Sequence, residues 1–129
     1  MNIVNVGYDS TNYYVIADSA PRLLIDVGFP GTLPKLEKQC ARMRVQLAEI
    51  KHLLCTHYHP DHAGLAQELK NRDVKLIVME NQADFIPTLK TYVKPEQGYV
   101  DIRLDDNIVL TFAESRAFLA TLGIAGEII

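Results

Sequence analysis

The stretch Thr56-His57-Tyr58-His59-Pro60-Asp61-His62-Ala63-Gly64 constrains this chain more than any other. It gathers three of the four histidines and a carboxylate directly behind the apolar run Leu53-Leu54-Cys55. Pro60 disfavours helical geometry at His59, so His57–Pro60 is extended or looped. In an extended chain residues two apart share a face, which lets His57 and His59 serve one ion. A helix would splay the same pair. Asp61 and His62 stand where the next helix begins. Adjacent side chains diverge there, so these two can serve a second ion close to the first. Imidazole and carboxylate without thiolate suit zinc, with iron or manganese also admissible. The fold must therefore carry a buried strand up to a polar loop that opens into a helix.

The rest of the chain supplies a frame for that unit. Ile3–Val6, Tyr13–Ala17 and Leu23–Val27 are β-rich runs separated by turn residues, and they predict an antiparallel meander. A helix follows Gly28–Gly31, with Thr32 as N-cap, Pro34 in the first turn, and Leu33, Leu36, Cys40 and Met43 on one face. His52–Thr56 is the strand that delivers the motif, and Ala63, Leu65, Ala66 and Leu69 mark the helix behind it. Val74–Met79 predicts a buried strand, and Asn81 to about Val93 a helix limited by Pro87. Val100–Leu104 and Ile108–Phe112 predict strands joined by a turn at Asp105-Asp106-Asn107. Glu114–Leu122 predicts a helix closed by Gly123, and Gly126–Ile129 enters a further strand. Strands that begin as a meander and then alternate with helices predict an α/β (α+β) fold, a mixed sheet with helices against one face.

Composition narrows the function. The 129 residues are 48% hydrophobic and 22% charged, with net charge −3 and a pI near 5.7. This is an ordinary single-domain composition, and it offers no basic stripe to a nucleic-acid partner. The N-terminus lacks the pattern of a signal peptide, and no apolar run is long enough for a bilayer. The expectation is a cytoplasmic protein without membrane or nucleic-acid partners. Cys40 and Cys55 read as reduced core thiols, Cys55 because it lies inside an apolar run. His52, an odd five residues before His57, faces away in a strand and reads as structural.

His57-x-His59-x-Asp61-His62, preceded by Thr56 and followed by Gly64, resembles the signature of the metallo-β-lactamase superfamily. Leu24-Ile25-Asp26-Val27-Gly28 is similar to that family's strand ending in Asp-x-Gly, and the order of elements agrees along the chain. The resemblance implies an αββα sandwich with a two-metal site at one edge. It implies that His57 and His59 bind the first metal and Asp61 and His62 the second, Asp61 being the catalytic carboxylate. A water activated between the metals would be the nucleophile. Asp26, with Thr56, would support the ligands from behind. From the residues alone, Asp26 reads equally well as a turn residue before Gly28.

The family pattern also has later ligands: a histidine in a Gly-His segment, a bridging aspartate and a final histidine. No histidine follows His62 here. The resemblance thus implies the N-terminal half of such a domain, spanning residues 1–129. It predicts a zinc-dependent hydrolase of a small-molecule substrate whose metals bind weakly to this chain, which is inactive alone. A non-catalytic oligomeric or partner-binding fragment is the alternative. An iron-dependent oxidoreductase ranks lower, since such relatives carry a glutamate where His59 stands. Half a sandwich would leave the inner sheet face uncovered. Five strands of about five residues present roughly 400 Å², or on the order of 10 kcal/mol of apolar burial. A homo-oligomer that covers this face is therefore expected.

Overall fold

The structure is a computed structural model that describes residues 2–17, 20–87, 102–103 and 106–122. Among these residues six strands form one mixed sheet in sequence order: β1 (Asn2–Asn5), β2 (Tyr14–Ala17), β3 (Pro21–Ile25), β4 (His52–Leu54), β5 (Lys75–Met79) and β6 (Ile108–Leu110). The first three pair antiparallel, as the meander predicts. From β3 onward the pairing is parallel, because helices now make the crossovers. These helices are α1 (Leu33–Arg42), α2 (Pro60–Ala63), α3 (Ala66–Lys70) and α4 (Glu80–Ala83); α5 (Phe112–Thr121) follows β6.

Alternation along the strands divides the apolar residues between two faces. Val15, Leu24, Leu53, Leu76 and Val78 point to one side, where Leu33, Leu36 and Cys40 of α1 and Ala63, Leu65, Ala66 and Leu69 around α2 and α3 complete the main core. Leu23, Ile77 and Leu110 point to the other side. There they meet the partly buried Ile16, Ile25, Leu54 and Ile108, together with Phe118 and Leu119 of α5. The inner face is therefore not bare: α5 lies on it. Its cover is incomplete over the meander. Ile3, opposite Ile16 in register, is 70% exposed, and Tyr14, opposite Ile25, is 37% exposed.

Several boundaries differ from the sequence expectation. The run Ile108–Phe112 leaves the sheet after Leu110, because Thr111 caps α5. Its Oγ1 accepts the Glu114 N–H at 3.1 Å, and Glu114 Oε1 accepts the Thr111 N–H at 2.9 Å. Met43 is half-exposed at the end of α1 instead of completing its apolar face. The helix expected from Asn81 begins at Glu80 and ends at Ala83; its expected continuation beyond residue 87 lies outside the described residues. Ile102 and Arg103 are not in a strand. The remainder of Val100–Leu104, the cap at Gly123 and the strand at Gly126–Ile129 also lie outside the described residues. Among the described residues no helix is long and apolar enough to cross a membrane.

Candidate metal centre

The parallel neighbours β3 and β4 end side by side, and everything of chemical interest follows from their C-terminal ends. Register pairs Ile25 with Leu54, and one step on the Asp26 N–H donates to the Leu54 carbonyl at 3.0 Å. Asp26 adopts a left-handed backbone, φ 65°, a region that Asp tolerates better than most residues. The turn aims its carboxylate across to the start of the histidine loop. Asp26 is 6% exposed. Its Oδ1 accepts the Thr56 N–H at 2.7 Å, and its Oδ2 accepts the Thr56 hydroxyl at 2.8 Å. The same Oδ2 lies 2.9 Å from His62 Nδ1. Asp26 is thus a turn residue whose carboxylate also ties the turn to the histidine loop.

The loop follows the geometry that Pro60 imposes. His59 is extended at φ −66°, ψ 152° and acts as N-cap of α2, its carbonyl accepting from the His62 and Ala63 N–H groups. Tyr58, between the two outward histidines, turns into the core and is 3% exposed. It anchors the loop from beneath, a role that alternation alone could have indicated. The Val27 N–H donates to the His62 carbonyl at 3.0 Å and ties the Asp-x-Gly turn to the start of α2. Both glycines of the pattern sit at close approaches, of side chains at Gly28 and of backbone and a proline ring at Gly64. A Cβ at Gly28 would collide with the Tyr8 hydroxyl, and one at Gly64 would collide with Pro30 and the Pro60 carbonyl.

These constraints bring His57, His59, Asp61 and His62 together. The His57 ring centroid lies 5.0 Å from that of His59 and 4.0 Å from that of His62. His62 Nε2 lies 3.5 Å from Asp61 Oδ2. Burial, and then the neighbouring His62, hold the His57 imidazole below its ordinary value. Thr56 Oγ1 lies 3.0 Å from His57 Nδ1. Among the described residues no three such side chains already surround one point as a metal's ligands would. Cys55 stays out of the cluster. It is buried in the core, and burial raises its thiol well above the usual range, which keeps it protonated and inert. His52 sits on the opposite face against Phe118, ring centroids 5.6 Å apart.

The same fold occurs among solved structures. BJP-1, a subclass B3 metallo-beta-lactamase of Bradyrhizobium japonicum, shares 27% identity at a TM-score of 0.64, over 83% of this chain and 42% of its own. FEZ-1, a metallo-beta-lactamase from Legionella gormanii, shares 25% at 0.67, over 85% and 44%. A beta-lactamase from Chitinophaga pinensis shows the same fold at 23% identity and 0.67, over 84% and 42%. The chain thus spans less than half the length of these solved structures. No curated protein matches it. The family model of the metallo-beta-lactamase superfamily matches residues 6–123, which includes the Asp26 turn, the histidine loop and helices α1 to α5, and the chain belongs to that superfamily.

Proposed function

We propose that this chain contributes His57, His59, Asp61 and His62 to the two-metal site of a hydrolase acting on a small-molecule substrate. His57 and His59 would hold one ion, and Asp61 and His62 its neighbour. The donor set suits zinc best, with iron or manganese admissible. The observation that carries this reading is the 3.5 Å approach of His62 Nε2 to Asp61 Oδ2. His62 already turns its other nitrogen to Asp26. Its Nε2 faces the Asp61 carboxylate oxygen, an arrangement that a shared cation, metal ion or proton, satisfies. Ions held there supply a Lewis acid and a water of lowered pKa. The contribution of the protein is to hold the imidazoles in place before the ions arrive, with Asp26 and Thr56 behind them.

Two protein ligands per ion fall short of the three that a catalytic zinc normally keeps. We therefore propose weak, substoichiometric metal binding and negligible turnover for this chain alone, the further ligands coming from outside it. Elemental analysis after extensive dialysis tests the first statement. Turnover assays test the second, with β-lactams tried first in view of the names of BJP-1 and FEZ-1, then thioesters, lactones and phosphodiesters. Tightly held zinc, or activity that His59→Ala abolishes, would overturn it. The alternative of a non-catalytic binding module is favoured by the lack of three converged donors among the described residues. It predicts no activity even when the missing ligands are supplied in a longer chain.

A further inference from the structure

We propose that the end of the sheet remote from the histidine loop carries a second ligand site, one for a small aliphatic carboxylate. Two crossovers enter the sheet side by side there, α1 to β4 and α3 to β5. Between them lies a cavity of about 410 Å³, a size at which small-molecule sites are found, about 300–1,000 Å³. Its floor is apolar. Ile50, Leu69 and Val74 belong to the main core, and Leu47, in the single turn Leu47–Glu49, packs against that core. Its rim is charged. Glu37 of α1 reaches across to Arg72, with 3.0 Å between Oε1 and Nη1, and Lys51 completes the rim. The Lys75 N–H donates to the Lys51 carbonyl at 2.8 Å, which fixes Lys51 beside the start of β5.

The charges on the rim select the ligand. Lys75, the neighbouring lysine, commits its ammonium to Asp106 at 2.6 Å. The Lys51 ammonium has no partner among the described residues. Arg72 turns one nitrogen to Glu37, and a guanidinium offers five N–H donors in a planar fork. Two cations against one carboxylate leave the lining one positive charge in excess. A monoanion cancels that charge. A dianion such as phosphate meets the Glu37 carboxylate as a like charge, and a cation meets the lysine, so both are disfavoured. A planar carboxylate matches the remaining edge of the Arg72 fork, and an alkyl chain of a few carbons covers the apolar floor.

The experiment is an amide NMR titration of the metal-free chain with sodium hexanoate at constant ionic strength. Shifts are expected to saturate at Leu47, Ile50, Lys51, Arg72 and Val74, with a dissociation constant on the order of 1 mM for so small a ligand. The amides of the histidine loop are expected to stay in place, so the outcome is independent of the metal reading. Acetate, which lacks the alkyl chain, and phosphate, which carries the second charge, are each expected to bind at least about tenfold more weakly. Lys51→Gln, at an exposed position, is expected to weaken hexanoate about tenfold. Lys51→Glu is expected to exchange the preference, so that hexylamine binds and hexanoate does not. Shifts in the wild type that scatter over the surface or fail to saturate would overturn the site. So would equal binding of hexylamine, the mark of an unselective apolar groove, or of phosphate, the mark of an adventitious anion contact.

Discussion

At the scale of single residues, two side chains carry testable consequences. Asp26 combines a left-handed backbone with three accepted hydrogen bonds. Asp26→Ala loses the bonds and keeps the strain, whereas Asp26→Gly loses the bonds but adopts the backbone freely. Both variants are expected to be destabilised, with Ala worse than Gly by about 1 kcal/mol, as measured by urea unfolding. His52 is the second case. Its position against Phe118 lowers its pKa by burial. Above the unfolded imidazole value of about 6.5 neither state is charged and His52 contributes no pH dependence. As pH falls below that value, the unfolded chain takes up a proton that the folded chain resists, so stability declines. His57, also lowered, acts in the same direction. His52→Leu is expected to flatten, without abolishing, the fall in urea midpoint between about pH 7.5 and about pH 5.5.

At the scale of elements, the sequence announced the existence of helices better than their ends. Leu33, Leu36 and Cys40 marked α1, yet no glycine marks its stop. The chain turns at Arg44, φ 61°, with the Val45 N–H on the Cys40 carbonyl at 2.7 Å and the Arg44 N–H on Ala41 at 3.1 Å. This pair of bonds is a Schellman motif with arginine in the glycine position. Asp73, φ 68°, ends the segment after α3 in the same manner, the Val74 N–H reaching Leu69. Each turn drives a valine, Val45 or Val74, into the core ahead of the next strand. Arg44→Gly and Asp73→Gly are each expected to raise stability by about 0.5–1 kcal/mol, read as a higher thermal midpoint. Glycine removes the strain and costs no helix interior. The start of α5 was hidden for a different reason. Thr111-x-x-Glu114 is a capping box, but the apolar residues on both sides of Thr111 favoured carrying the strand through it. Thr111→Ala is expected to cost about 1 kcal/mol, seen as faster amide exchange across α5.

At the scale of the whole molecule, the mixed sheet and the histidine loop were legible because each rests on local chemistry: alternation, a proline, a run of imidazoles. The tie between Asp26 and His62 was not, since it spans 36 residues and depends on which strands become neighbours. The cover of the inner face was equally hidden, because α5 has no strongly one-sided apolar stripe to announce what it packs on. The exposed Ile3 and Tyr14 beside Ile16 and Ile25 still leave an apolar strip over the meander. We propose that a second copy of the chain covers it. Light scattering at low micromolar concentration is expected to show a species larger than a monomer, and Ile3→Lys to shift it toward the monomer. A monomer at all concentrations with no binding of an apolar dye would refute this.

The parallel register of β3 and β4 has a consequence for folding fidelity. Leu24 faces Leu53 and Ile25 faces Leu54, both strands being apolar on each side, so hydrophobicity alone penalises a slip weakly. A shift by one residue, about 3.3 Å, would carry Thr56 and the loop behind it out of reach of the Asp26 carboxylate. The buried acid would be left with no donors, at a cost of a few kcal/mol. The carboxylate at the end of β3 therefore serves as a checkpoint for strand alignment: only the correctly threaded sheet can satisfy it, and only that sheet assembles the histidines.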